Sequence, residues 1–336
     1  MPRVRLPIVI VGAGGIVRDA HLPAYKKAKF PVAVVVDSEV GKAEALARQF
    51  SVPYATASLA EALTVAPRDC VFDVAVPARY TADVVRQLPD GSAVLLQKPM
   101  GNTILEAGEI LKLCQEKRLT AAVNFQLRYA PAILAAKEIM DNGLLGEIHD
   151  MQVIVNVHLP WNLWTYLFAA PRVEILYHSI HYIDLVRSCF GNPDRILAKT
   201  VKDPLAPEVA TSKSVVILDF GQSKRAYIST NHNHLYPDTQ ASYVQWEGTK
   251  GMLRVTLGMN LDYPGGRPDR LEIAARGESL RSLPIEGNWI PDGFAGSMGS
   301  LQAYVNCDST ELPTRVEDAF ETMRAVEAAY ISSGNL

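Results

Sequence analysis

The stretch PIVIVGAGGIVRDAHLPAY, Pro7–Tyr25, runs four apolar residues into three glycines within four positions and then opens a helix-like segment. A chain places that much backbone freedom after a buried strand for one of two reasons. Either the turn is merely tight, or the backbone must approach something closely. Gly12, Gly14 and Val17 occupy the slots of a G-x-G-x-x-G/A fingerprint. In the first βα turn of a doubly wound sheet, the first glycine permits the turn. The second lets the backbone touch a pyrophosphate seated on the positive end of the following helix. Val17 is larger than the third slot normally allows, and Gly15 adds an unhindered residue to the loop. Asp37 ends the next apolar run 25 positions after Gly12. A carboxylate there accepts hydrogen bonds from an adenosine ribose and repels a 2′-phosphate.

Outward from this turn, apolar runs alternate with helix-like segments. The runs Ile8–Val11, Val32–Val36, Val71–Val76, Ala93–Leu96 and Ala121–Phe125 read as strands. Lys42–Gln49, Thr81–Gln87 and Thr103–Lys117 read as the helices between them. Such alternation predicts a parallel sheet with right-handed crossovers, and continuous apolar strands predict helices on both faces. After Asn124 the pattern changes. Helices are expected over Ala130–Asn142 and Glu174–Phe190, each closed by glycine, and over Val316–Ser332. Period-two strands are expected at Ile148–Val157, Ser214–Phe220, Arg225–Thr230, Ser242–Glu247 and Met252–Val255. The expected fold is therefore α/β: a Rossmann doubly wound domain over 1–124, then an α+β domain with a mostly antiparallel sheet over 125–336.

The totals narrow the class. The chain has 336 residues, 48% hydrophobic and 21% charged, with a net charge of -3. That balance gives no bulk attraction to nucleic acid or an acidic membrane, and no apolar run is long enough to span a bilayer. The basic, apolar start resembles a signal peptide only superficially, because its apolar patch is short, glycine-rich and lacks a cleavage site. The four cysteines are scattered without a CxxC pair, which fits free thiols in a reducing compartment. The cytoplasm is the expected location.

The fifth strand ends in SAVLLQKPMG, placing Gln97 and Lys98 at the carboxyl edge of the sheet, where ligands of open α/β sheets bind. A surface lysine after a strand is the plain alternative. With VGAGGIVRDAHLPAY, VAVVVD, FDVAVPARYTADVV, AAVNFQLRYAP, NGLLGEI and HSIHYIDLVRSCFGNP, these residues appear in an ordered set. The set resembles the Gfo/Idh/MocA family, that of glucose–fructose oxidoreductase and inositol dehydrogenase. The family carries Glu-Lys-Pro where this chain has Gln97-Lys98-Pro99. Beyond residue 200 the likeness is one of pattern only. The resemblance implies a nicotinamide cofactor, NAD in preference to NADP given Asp37, and hydride transfer at a sugar, polyol or related hydroxyl. It implies nucleotide contacts from Gly12, Ala13, Gly14, Gly15, Ile16, Asp37, Val76, Pro77, Gln97 and Lys98. It also implies a homodimer or homotetramer assembled through the C-terminal sheet.

His178, His181 and Asp184 lie at i, i+3 and i+6 in YHSIHYIDLV, along one side of a helix. Three readings compete: a polar interface, a two-histidine carboxylate metal set without further Cys/His support, or a catalytic helix. No metal is expected. The resemblance places the family's catalytic histidine at His181, with Asp184 as a binding group and Lys98 polarising the substrate oxygen. The family often has an aspartate where Tyr177 stands, so Tyr177 or His178 fills that space. Arg128 and Trp164 are further substrate-binding candidates, the latter in the aromatic stretch HLPWNLWTYLF. Two rivals to a dehydrogenase stay open: a non-catalytic nucleotide- or sugar-binding regulator, and an enzyme using NAD in a transient redox cycle.

Overall fold

The computed structural model describes residues 1–334. The chain divides into two compact units, one of Met1–Gln126 with Ile290–Met323, the other of Leu127–Trp289 with Arg324–Leu336. A single cut at residue 124 therefore differs from the observed partition. Ile290–Met323 belongs with the first unit because Phe294, Ala295, Met298 and Leu301 are buried in its core beside Ile8, Ile10, Tyr25 and Val35. Those contacts are long-range, and no local pattern announces them.

The first unit is built on a six-stranded parallel sheet. Its strands are β1 (Ile8–Val11), β2 (Val32–Val36), β3 (Tyr54–Thr56), β4 (Val71–Val74), β5 (Ala93–Leu96) and β6 (Thr120–Val123). The order is β3-β2-β1-β4-β5-β6, the doubly wound arrangement expected. β1, β4 and β5 are buried along their whole length, as strands covered on both faces must be. Hydroxyls of Ser58 and Thr103 cap the helices Leu59–Val65 and Ile104–Glu116 by accepting from the backbone N–H three residues on. The three-residue β3 has too short an apolar run to be read from sequence.

The second unit carries an eight-stranded sheet. Its strands are β7 (Ile148–Asn156), β8 (Arg195–Val201), β9 (Lys213–Asp219), β10 (Arg225–Asn231), β11 (Ala241–Gly248), β12 (Gly251–Thr256), β13 (Arg270–Ala275) and β14 (Arg281–Leu283). The order is β14-β13-β12-β11-β7-β10-β9-β8, and every pair is antiparallel except β7 with β10. β9 shows why alternation rather than continuity is the pattern: Ser214, Val216 and Leu218 are buried while Val215 and Ile217 face outward. The expected helix Glu174–Phe190 is two pieces, a π-helical turn Glu174–Ser179 and an α-helix Ile180–Phe190.

Candidate active site

In the first unit the register places the carboxyl ends of five strands in one row. Val11 pairs with both Val36 and Val74, Val74 with Leu96, and Leu96 with Val123. The next residues, Asp37, Gly12, Ala75, Gln97 and Asn124, therefore line one edge of the sheet. Gly12 is required there. Its φ is 110°, and a β-carbon would sit 2.5 Å from the Ala75 carbonyl oxygen. Gly14 is the opposite case, since a β-carbon on it would meet nothing within 4 Å. Open space over a bare backbone at the start of the helical stretch is the cradle a pyrophosphate needs. Val17, the oversized third slot, is fully buried, and its N–H reaches the Gly14 carbonyl at 3.1 Å.

Asp37 ties this cradle to β2. Its carboxylate accepts from the Ala13 N–H at 2.7 Å and from the Glu39 N–H at 2.9 Å. The side chain is half-buried, and a carboxylate oxygen holding one donor retains a lone pair for another. Gly15 and Ile16 are exposed on the outer side of the loop; Val76 is half-buried and Pro77 exposed beyond β4. The residues present thus fit a dinucleotide at this edge.

Lys98 follows β5 and is half-buried. Burial pushes its ammonium down from 10.5 to about 8, so the charge it carries is held against a desolvation cost. Behind it lies a polar network that sequence reasoning passed over. His21 and Asp73 are both completely buried, with His21 Nδ1 2.7 Å from an Asp73 carboxylate oxygen. The Tyr25 hydroxyl donates to that same oxygen at 2.7 Å, and burial followed by the Asp73 charge holds the phenol well above its usual range. The only signal was an aspartate inside an otherwise apolar strand. Asn124 was also passed over; it is fully buried, and neither polar atom of its amide has a partner among the described residues.

In the second unit the structure pairs two of the expected substrate residues with each other. Arg128 donates to both oxygens of Asp184, at 2.6 Å each, and Asp184 is buried. His181 is buried on the α-helix Ile180–Phe190, its ring edge-on to Trp289 at 5.5 Å. His178, one turn earlier, stacks on His232 at 4.5 Å and meets Trp161 edge-on at 5.7 Å. Tyr177 is half-buried with its ring 6.1 Å from that of Tyr166, and Trp164 packs on Tyr263 at 5.2 Å. The carboxylate of this segment is Glu174 rather than a residue at Tyr177. Burial alone would raise Glu174, but His232 at 3.3 Å and the hydroxyls of Ser179 and Ser214 hold it below the usual carboxylate range. Among the described residues no group of three His, Cys, Asp or Glu side chains is placed to hold a metal ion, and no helix is long and apolar enough to cross a membrane.

A glycine cradle, a carboxylate at the end of β2 and a strand-edge lysine sit in a Rossmann unit joined to an α+β unit. Residues 6–125 match the Gfo/Idh/MocA oxidoreductase family, NAD-binding Rossmann fold, and residues 133–254 match that family's C-terminal domain. The chain belongs to this family. It is 23% identical to D-apiose dehydrogenase of Paraburkholderia graminis across 96% of this chain and 86% of that one. It is 24% identical to D-xylose 1-dehydrogenase (NADP(+)) 2 of Haloferax volcanii across 96% of each. The fold matches an oxidoreductase from Agrobacterium radiobacter, solved in complex with NAD+, L-tartaric acid and magnesium. That match has a TM-score of 0.82 at 18% identity, covering 99% of this chain and 97% of the other.

Proposed function

We propose that the protein is an NAD-dependent dehydrogenase of a sugar or polyol hydroxyl. The observation that carries this reading is Lys98, a lysine whose charge is costly to bury, one residue beyond Gln97 in the row that also holds Gly12. The names of the D-apiose and D-xylose relatives support the substrate class. When bound, the nicotinamide supplies the hydride acceptor. The Lys98 ammonium holds the substrate oxygen and stabilises negative charge that develops on it. The imidazole of His181 takes the hydroxyl proton, a task for a group that titrates near neutrality. Asp184, gripped on both oxygens by Arg128, acts through the helix that carries His181, one turn away, by keeping it in place. Tyr177 and Trp164 offer half-buried aromatic surface to the substrate. Asp37 favours NAD, since a 2′-phosphate would meet its carboxylate.

The stack of His178 on the Glu174-paired His232 supports a second reading, in which His178 is the proton acceptor. We also propose a homodimer or homotetramer. Leu197, Val201, Val215 and Ile217 lie on one face of β8 and β9 with exposures of 40–45%, interleaved with Arg195, Lys199, Lys213 and Asp219, a mixed surface that a second subunit can cover. The test is absorbance at 340 nm across sugars, polyols and lactones with both cofactors, repeated with Lys98→Ala. Turnover that Lys98→Ala abolishes is expected. Turnover unaffected by Lys98→Ala would refute the assignment, and no turnover with any substrate would favour a regulator.

A further inference from the structure

Gln97 stands where the family has a glutamate, and its amide has two contacts. Gln97 Oε1 lies 2.9 Å from the Lys98 backbone N–H, and Gln97 Nε2 lies 3.1 Å from His21 Nε2. A backbone N–H can only donate, so the amide atom facing Lys98 is the oxygen and the atom facing His21 is the NH2 group. His21 Nε2 must then accept, which leaves the ring proton on Nδ1. That proton points at Asp73, whose carboxylate oxygen lies 2.7 Å away and can only accept. Each assignment is forced by the one before it. Tyr25 donates to the same Asp73 oxygen at 2.7 Å, its hydroxyl standing farther, 3.5 Å, from His21 Nδ1, and the ring of Phe294 lies 4.8 Å from the imidazole.

We infer that Asp73, His21 and Gln97 form a neutral, tautomer-locked clamp that positions Lys98, making Gln97 a positioning residue for the reaction. The inference rests on the reading of Lys98 as the group that binds the substrate oxygen. The clamp works in one direction. Asp73 fixes the proton of His21, His21 fixes the face of the Gln97 amide, and that amide holds the backbone from which the Lys98 side chain leaves. A glutamate at the same place has no N–H to offer His21. It would require a proton on His21 Nε2, turning a neutral imidazole into a cation between two carboxylates. It would also bring negative charge toward the Lys98 ammonium, which burial now holds near 8. Glutamine keeps the tether and leaves that carboxylate out.

The test reads the tautomer and the kinetics separately. In the ¹⁵N-histidine spectrum of the wild-type enzyme, assigned with His21→Phe, His21 should be neutral with its proton on Nδ1. Gln97→Glu should give His21 a second ring proton and move the alkaline limb of kcat/KM, set by Lys98, to higher pH by at least about half a unit. Gln97→Met, which removes both contacts, should lower kcat at least tenfold and change its pH profile. A wild-type His21 protonated on Nε2 overturns the clamp whatever the variants do. So does a Gln97→Met enzyme with unchanged kcat and pH profile. Turnover that survives Lys98→Ala would instead remove the reading beneath it, with the tautomer intact.

Discussion

Replacing Lys98 by methionine should abolish turnover and stabilise the first unit. A fall of the ammonium from 10.5 to about 8 corresponds to about 3 kcal/mol against burying the charged form, at 1.36 kcal/mol per unit. Lys98 as a whole residue is only half-buried, so that cost is discounted and we expect a gain of about 1–3 kcal/mol for Lys98→Met. The sign follows from linkage. A lysine whose folded value lies below its unfolded value costs stability wherever it is charged in both states, below about pH 8. The cost fades between about 8 and 10.5 as the folded protein sheds the proton first, and it is absent above 10.5. The difference between variant and wild type should therefore be largest at pH 7 and vanish by about pH 10.5. Tryptophan fluorescence is the wrong probe, because Trp161, Trp164, Trp246 and Trp289 all lie in the second unit. Native-state hydrogen exchange of the amides of β4 and β5 reports the unit that carries Lys98. A Lys98→Met protein no more stable than wild type at pH 7, or a gain that persists undiminished to pH 10.5, would refute the desolvation argument.

His181→Asn should lower kcat/KM by roughly 10²–10⁴ with little change in NAD affinity, the usual scale for losing a general base. If His178→Asn produces that loss and His181→Asn does not, the base lies one helical turn earlier, on the ring stacked against His232. The wild-type kcat/KM should decline above about pH 8 as Lys98 loses its proton, and a flat profile to pH 10 would contradict its role as a cation. Asp37→Ser should weaken NAD and narrow the preference over NADP. Isothermal titration of both cofactors checks this, and equal wild-type affinities would count against the carboxylate. Val215→Lys with Ile217→Lys should convert the assembly to monomers by light scattering, since both replaced side chains are exposed on one sheet face. A wild-type monomer at micromolar concentration would remove the premise.

Much of the fold was legible in local chemistry. A strand covered on both faces is mostly apolar, and β1 and β5 announced themselves that way, as did β4 apart from its buried Asp73. A strand with one open face must alternate, as β9 does, and a positive φ pressed against a neighbouring carbonyl admits glycine alone, as at Gly12. These requirements act within a few residues, so sequence carried them, along with the candidate roles of Asp37, Lys98 and His181. The pairing of Arg128 with Asp184 was not legible, because their separation of 56 positions closes only when the chain folds. Glu174 read as a helix start, yet its partners Ser214 and His232 lie on distant segments. Ile290–Met323 returns to the first unit through packing alone. The same holds for the site's inner support. Asp73 beside His21 and Gln97 is three unremarkable residues in sequence, and becomes a single proton arrangement only because β4, β5 and the first helical stretch meet out of water, where a buried donor without an acceptor is costly.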